Sequence, residues 1–117
     1  MTIRIVKDHI SRVQLQELAN ERFGDLAKAV VDVKQKIIAV GGELHADAQT
    51  ELMEKEGSHN EDTWGINIYP GEKGEAFIEF DSVVNLKPTF GNRSRGVDDE
   101  KTRNRITEIV QEIVTDN

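Results

Sequence analysis

The segment "RITEIVQEIV" places Ile106, Ile109, Val110, Ile113 and Val114 at i, i+3, i+4, i+7 and i+8, one apolar stripe along an α-helix. Fully burying such side chains is worth roughly 1.5–3 kcal/mol each as an upper value. The stripe must therefore dock on the rest of the chain or on a partner, and a solvated tail would not carry it. A chain of 117 residues supplies enough surface for that, because about two thirds of the unfolded surface of such a chain is hidden on folding.

The preceding residues read as strands and two more helices. Thr2 to Val6 alternates and is β-branched, as a first strand. Ser11 and Gln14 form a capping box, with Ile10 and Leu15 at the staple positions. Leu15, Leu18, Ala19 and Phe23 then share one helical face that Gly24 closes. "AKAVVDVKQKIIAVGG" reads as two strands around a polar turn near Lys34 and Gln35, with a helix as the competing assignment because Lys and Gln favour helices. Asp47 is placed to cap a helix through "AQTELMEKE", with Leu52 and Met53 inward and Gly57 at its end.

Thr63 to Tyr69 alternates as a strand with Trp64, Ile66 and Ile68 on one face, and "PGEKGE" is a turn. "AFIEFDSVVNLKP" reads as a long strand, bent or bulged at Ser82, with Ala76, Ile78, Phe80, Val84 and Leu86 on one face. The order is β-α-β-β-α-β-β-α. These observations predict one α+β domain over residues 1–117, with a mainly antiparallel sheet and helices packed on one face. The first six elements follow the ferredoxin-like order.

Five stretches, "FGDLAKAVVDV", "GGELHAD", "WGINIYP", "FIEFDS" and "GNRSRGV", together resemble a family of short bacterial and archaeal proteins catalogued as a domain of unknown function. The resemblance runs over nearly the whole chain. It implies a stand-alone domain and assigns no activity, cofactor or catalytic residue, so candidate sites rest on the residues themselves.

Several function classes are excluded at once. The chain has no cysteine, hence no disulfide framework, thiolate metal site or thiol nucleophile. A net charge of −7 argues against general nucleic-acid binding, which draws its affinity from a basic footprint. No segment approaches the ~20 apolar residues of a membrane span, and the first residues lack a signal peptide's apolar run, so the expected location is the cytoplasm. Neither the P-loop nor the dinucleotide fingerprint is present.

Three charge clusters remain as candidate sites. In "GNRSRGVDDE", Arg93 and Arg95 sit between glycines, with Asn92 and Ser94 beside them. Guanidinium forks suit carboxylate or phosphate, but Asp98, Asp99 and Glu100 repel an anion and offer the arginines internal partners. The second cluster is the polar strand face of Asn67, Glu79, Asp81 and Asn85, over which the arginines could fold to make a single site. The third is His45 with Asp47, which His59, Glu61 or Asp62 could complete as an acid–base pair or metal site; no two-histidine motif supports a metal there.

The favoured function is a binding or regulatory module that takes an anionic ligand or acidic partner through Arg93, Arg95, Asn92, Ser94, Glu79 and Asp81. Two alternatives stand beside it: a metal-assisted hydrolase using His45, Asp47 or Asp81, and a homodimeric assembly protein that pairs through a sheet edge or the last helix.

Overall fold

Two apolar runs decide the architecture. Val30-Val31 and Ile37 to Val40 are apolar at both strand parities, so their strands must bury both faces. In the computed structural model, which describes residues 2–116, they form the middle of a five-stranded sheet. The strands are β1 (Ile3–Val6), β3 (Ala27–Asp32), β4 (Ile37–Gly41), β5 (Thr63–Ile68) and β6 (Ile78–Glu79), in spatial order β1-β4-β3-β5-β6. Every neighbouring pair is antiparallel. A separate short parallel pair joins β2 (Ile10–Ser11) to β7 (Val114–Thr115).

The predicted element order is present, with these two short strands added. A ferredoxin-like arrangement is not, since it requires βαβ units with parallel strands. Instead β1 lies at an edge, antiparallel to β4.

The helices cover both faces, which corrects the expected packing on one. α1 (Arg12–Asn20) and α3 (Glu100–Ile113) lie on the face of Ala27, Ala29, Val31, Ile38, Val40, Trp64, Ile66 and Ile68. Ile106, Ile109, Val110 and Ile113 are buried there, so the stripe of the last helix is satisfied inside its own domain. α2 (His45–Glu56) places Ala48 and Leu52 against Val30, Ile37 and Ala39 on the opposite face.

Local chemistry accounts for most of the boundaries. The α1 capping box forms as expected, with Gln14 N–H donating to Ser11 Oγ and Ser11 N–H to Gln14 Oε1. Asp32, buried at the end of β3, turns the chain into β4 by accepting the backbone N–H groups of Lys34 and Gln35. Three side-chain expectations fail. α2 starts at His45, so Asp47 lies in its first turn and the N-cap is Leu44, which has no side-chain acceptor to offer. Met53 and Phe23 are exposed rather than core; Phe23 stacks under the Lys28 ammonium instead.

The long strand over residues 76–88 is also corrected. Only Ile78–Glu79 pairs with β5, flanked by 3₁₀ turns at Gly74–Phe77 and Val83–Asn85. Past β6, the side chain of Asn85 replaces the missing strand: its Oδ1 accepts from Gly65 N–H at 2.7 Å and its Nδ2 donates to Gly65 O at 2.9 Å. Asn85 is thus wholly buried and does not belong to an exposed polar face. The segment approaches β5 so closely that a Cβ on Gly65 would stand 2.5 Å from Ser82 Cβ.

Candidate ligand-binding pocket

α2 covers only part of its sheet face. The row Lys28, Asn67 and Glu79, side by side across β3, β5 and β6, continues beyond it. A cavity of about 320 Å³ opens above Lys28 and Asn67, walled by the first residues of α2 (Leu44, His45, Ala46) and by the segment Asp81, Ser82, Val83, Val84, with Arg95 at its rim. Each of the five stretches that carry the family resemblance contributes at least one residue: Lys28, His45, Asn67, Asp81 and Arg95.

The arginine loop is held by two buried asparagines. Asn92 Nδ2 donates to the carbonyls of Asn85, Ser94 and Gly96, while its Oδ1 accepts from Asp98 N–H. Asn85 Nδ2 and Ser82 N–H both donate to Arg95 O, each at 2.9 Å. Asp98 closes the loop by accepting from Arg93 N–H and Ser94 Oγ. Those hydrogen bonds hold its carboxyl below the usual range, the Ser94 hydroxyl contributing most. Asp99 caps α3 through Thr102 N–H. Asp98 and Asp99 therefore serve backbone and hydroxyl groups, not the guanidinium groups.

The two arginines part company. Arg95 Nε donates to Asp81 Oδ1 at 2.8 Å, which brings this end of the loop to the strand face, a contact the sequence leaves open. Its remaining guanidinium N–H groups make no protein hydrogen bond among the described residues, so one edge of the fork is open. Arg93 is exposed and does not line the cavity. Glu79 Oε1 accepts from Asn67 Nδ2 and from the Tyr69 hydroxyl, both at 2.9 Å, and the hydroxyl's bond to Glu79 pushes its pKa up to about 12.

His45, at the first turn of α2, is buried, and its Nε2 lies 2.8 Å from Ile66 O. A carbonyl only accepts, so that nitrogen carries the proton. Burial pushes its pKa down; the Ile66 carbonyl, the Asn67 side chain and Asp81 oppose, Lys28 assists, and the net shift is downward. Asp47 is exposed and does not line the cavity, while His59 and Asp62 border a different depression beside Asp32. Among the described residues, no three His, Asp or Glu side chains gather to hold a metal ion.

Two features escaped the sequence. Lys28 looked like an outward strand residue, and only the partial cover by α2 makes it a cavity floor. Lys87 is a buried lysine whose ammonium sits over Trp64, donating to Asn60 O and Thr63 O at 2.5 and 2.6 Å. Burial pushes its pKa down to about 8, with Asp62 opposing.

Fold and cavity together define a class: a small antiparallel α+β domain, clad by helices on both faces, with a ligand-sized cavity at a helix start. Residues 4–113 match the family described as "Protein of unknown function (DUF5674)", and the chain belongs to that family. No curated protein and no solved structure matches it. None of the helices among the described residues is long and apolar enough to cross a membrane.

Proposed function

We propose that this protein is a binding module that holds a small organic anion at the start of α2. One observation carries the reading: an α-helix N-terminus without a side-chain cap, Lys28 and Arg95, whose guanidinium keeps one open edge, line a single cavity. Unpaired N–H groups at a helix start attract anions, and a guanidinium edge takes a carboxylate bidentately. In a chain of net charge −7 the positive spot is local, which suits a small ligand and repels polyanions. The cavity is near the lower end of ligand sites, which run roughly 300–1,000 Å³. A hydrolytic reading has less support, because the protonated His45 nitrogen is already held by Ile66 O and Asp47 stands outside the cavity.

Calorimetry with small carboxylates and inorganic phosphate tests the proposal. Arg95→Ala and Lys28→Met are each expected to lower affinity at least tenfold. Arg95→Ala should change the stability of the free protein by no more than about 1 kcal/mol, since the Arg95–Asp81 pair is exposed. Binding unchanged in both variants, or a strong loss of stability in Arg95→Ala, would sink the proposal.

A further inference from the structure

Asn67 adds a requirement that charge alone does not impose. The residue is 7% exposed, and its Oδ1 is buried with no hydrogen bond of its own; the His45 ring adjoins the side chain, but its Nε2 proton is held by Ile66 O. The amide cannot be turned over to relieve this, because its Nδ2 faces Glu79 Oε1 at 2.9 Å and a flip would set oxygen against carboxylate. The wall of the cavity therefore holds an acceptor that lacks a donor, a situation that costs about 1–3 kcal/mol. The apolar part of the lining is Leu44, Ala46, Val83 and Val84, of which Leu44 and Val83 are largely exposed.

We infer that the ligand is a small monocarboxylate bearing a hydrogen-bond donor beside the acid group and an aliphatic limb, the chemistry shared by 2-hydroxy and 2-amino acids. The inference rests on the anion-pocket reading and deepens it. The carboxylate takes the open edge of Arg95 and the start of α2, the hydroxyl or ammonium donates to Asn67 Oδ1, and the limb covers Leu44 and Val83. A monoanion fits better than phosphate, because Asp81 stands at the same rim and repels each additional negative charge. Oδ1 has almost no exposed surface in the free protein, so the donor reaches it only if the wall shifts slightly on binding.

Calorimetry on the full chain with matched acids decides the matter: 2-hydroxy-4-methylpentanoate, leucine, 4-methylpentanoate and glycolate. At least one of the first two is expected to bind roughly tenfold or more tighter than 4-methylpentanoate, the ratio of one buried hydrogen bond. Glycolate, which lacks the limb, should bind more weakly than 2-hydroxy-4-methylpentanoate. In Asn67→Leu the advantage of the donor should vanish while 4-methylpentanoate still binds. If that variant does not fold, the comparison in the unaltered protein decides alone. Equal affinity with and without the donor would overturn this inference and leave the anion pocket standing. If none of the acids and no phosphate binds, both readings fall together.

Discussion

Replacing Asn85 by alanine removes the side chain that stands in for a strand beside β5. Asn85 is 0% exposed and makes three hydrogen bonds, accepting from Gly65 N–H and donating to Gly65 O and Arg95 O. Arg95 O keeps a second donor in Ser82 N–H, so two groups, both on Gly65, lose the partner described here. At about 1–3 kcal/mol for each buried unsatisfied group, the variant should lose roughly 2–6 kcal/mol, a large part of the ~5–15 kcal/mol typical of a domain. Urea unfolding followed by far-ultraviolet circular dichroism reads this as a midpoint lowered by roughly 1–3 M. Asn85→Asp provides a control with a sign. It retains the acceptor for Gly65 N–H but sets a carboxylate against two carbonyl oxygens, which raises its folded pKa above the unfolded value. The folded variant then binds protons that the unfolded chain does not, so its deficit relative to the unaltered protein should shrink as pH falls from 7 towards 4. A loss below 1 kcal/mol in Asn85→Ala, or a deficit in Asn85→Asp that ignores pH, would refute the strand-substitute role.

Gly65→Ala should destabilise by about 1–3 kcal/mol or more in the same urea assay, because its Cβ meets Ser82 Cβ at 2.5 Å and Val84 Cγ2 at 2.9 Å; unaltered stability would mean that residues 82–84 do not lie on β5. Asp32→Asn tests the turn into β4. Burial raises the Asp32 carboxyl, but hydrogen bonds from Ser58, Gln35 and Lys34 outweigh it and the net shift is downward from 3.8. Its stabilisation is thus present above that value and lost as pH falls through the lower folded one; the variant should be less stable at pH 7 and lose its disadvantage in acid. Burial holds the pKa of His45 below its ordinary value. An anion in the cavity with His45 favours the imidazolium, so a carboxylate that stays ionised should bind more tightly as pH falls from 8 through the lowered His45 pKa, with proton uptake measurable by calorimetry in buffers of different ionisation enthalpy. Affinity independent of pH would place the anion away from His45.

Sequence periodicity alone located the last helix, the α1 capping box and the hairpin at Lys34–Gln35, because each rests on residues close together in the chain. Trp64, Ile66 and Ile68 were legible as one buried face for the same reason. The signal for helices on both sides was present as well, in the two-sided apolar runs at Val30-Val31 and Ile37 to Val40. Lys28 and Asp32 on the opposite parity to Ala29, Val31 and Val33 masked it. The long strand after Ala76 was misread because the apolar alternation of "AFIEF" continues past the point where β5 stops offering partners; backbone pairing depends on the neighbour and leaves no mark on the strand's own pattern.

The candidate pocket divides in the same way. Its residue types, Arg95, Asp81, His45 and Asn67, were visible as separate clusters in the sequence, and the meeting of Arg95 with Asp81 could be posed as a question. Tertiary structure alone decided that Asp98 and Asp99 serve backbone and hydroxyl groups and that Arg93 stays outside. It also decided that Lys28 joins the floor, and that Asn67 is left with an acceptor facing no donor. A hydrogen bond or ion pair across the chain is fixed by where the backbone carries each group, and here β5, the uncapped start of α2 and the Asn85–Arg95 link set those positions together.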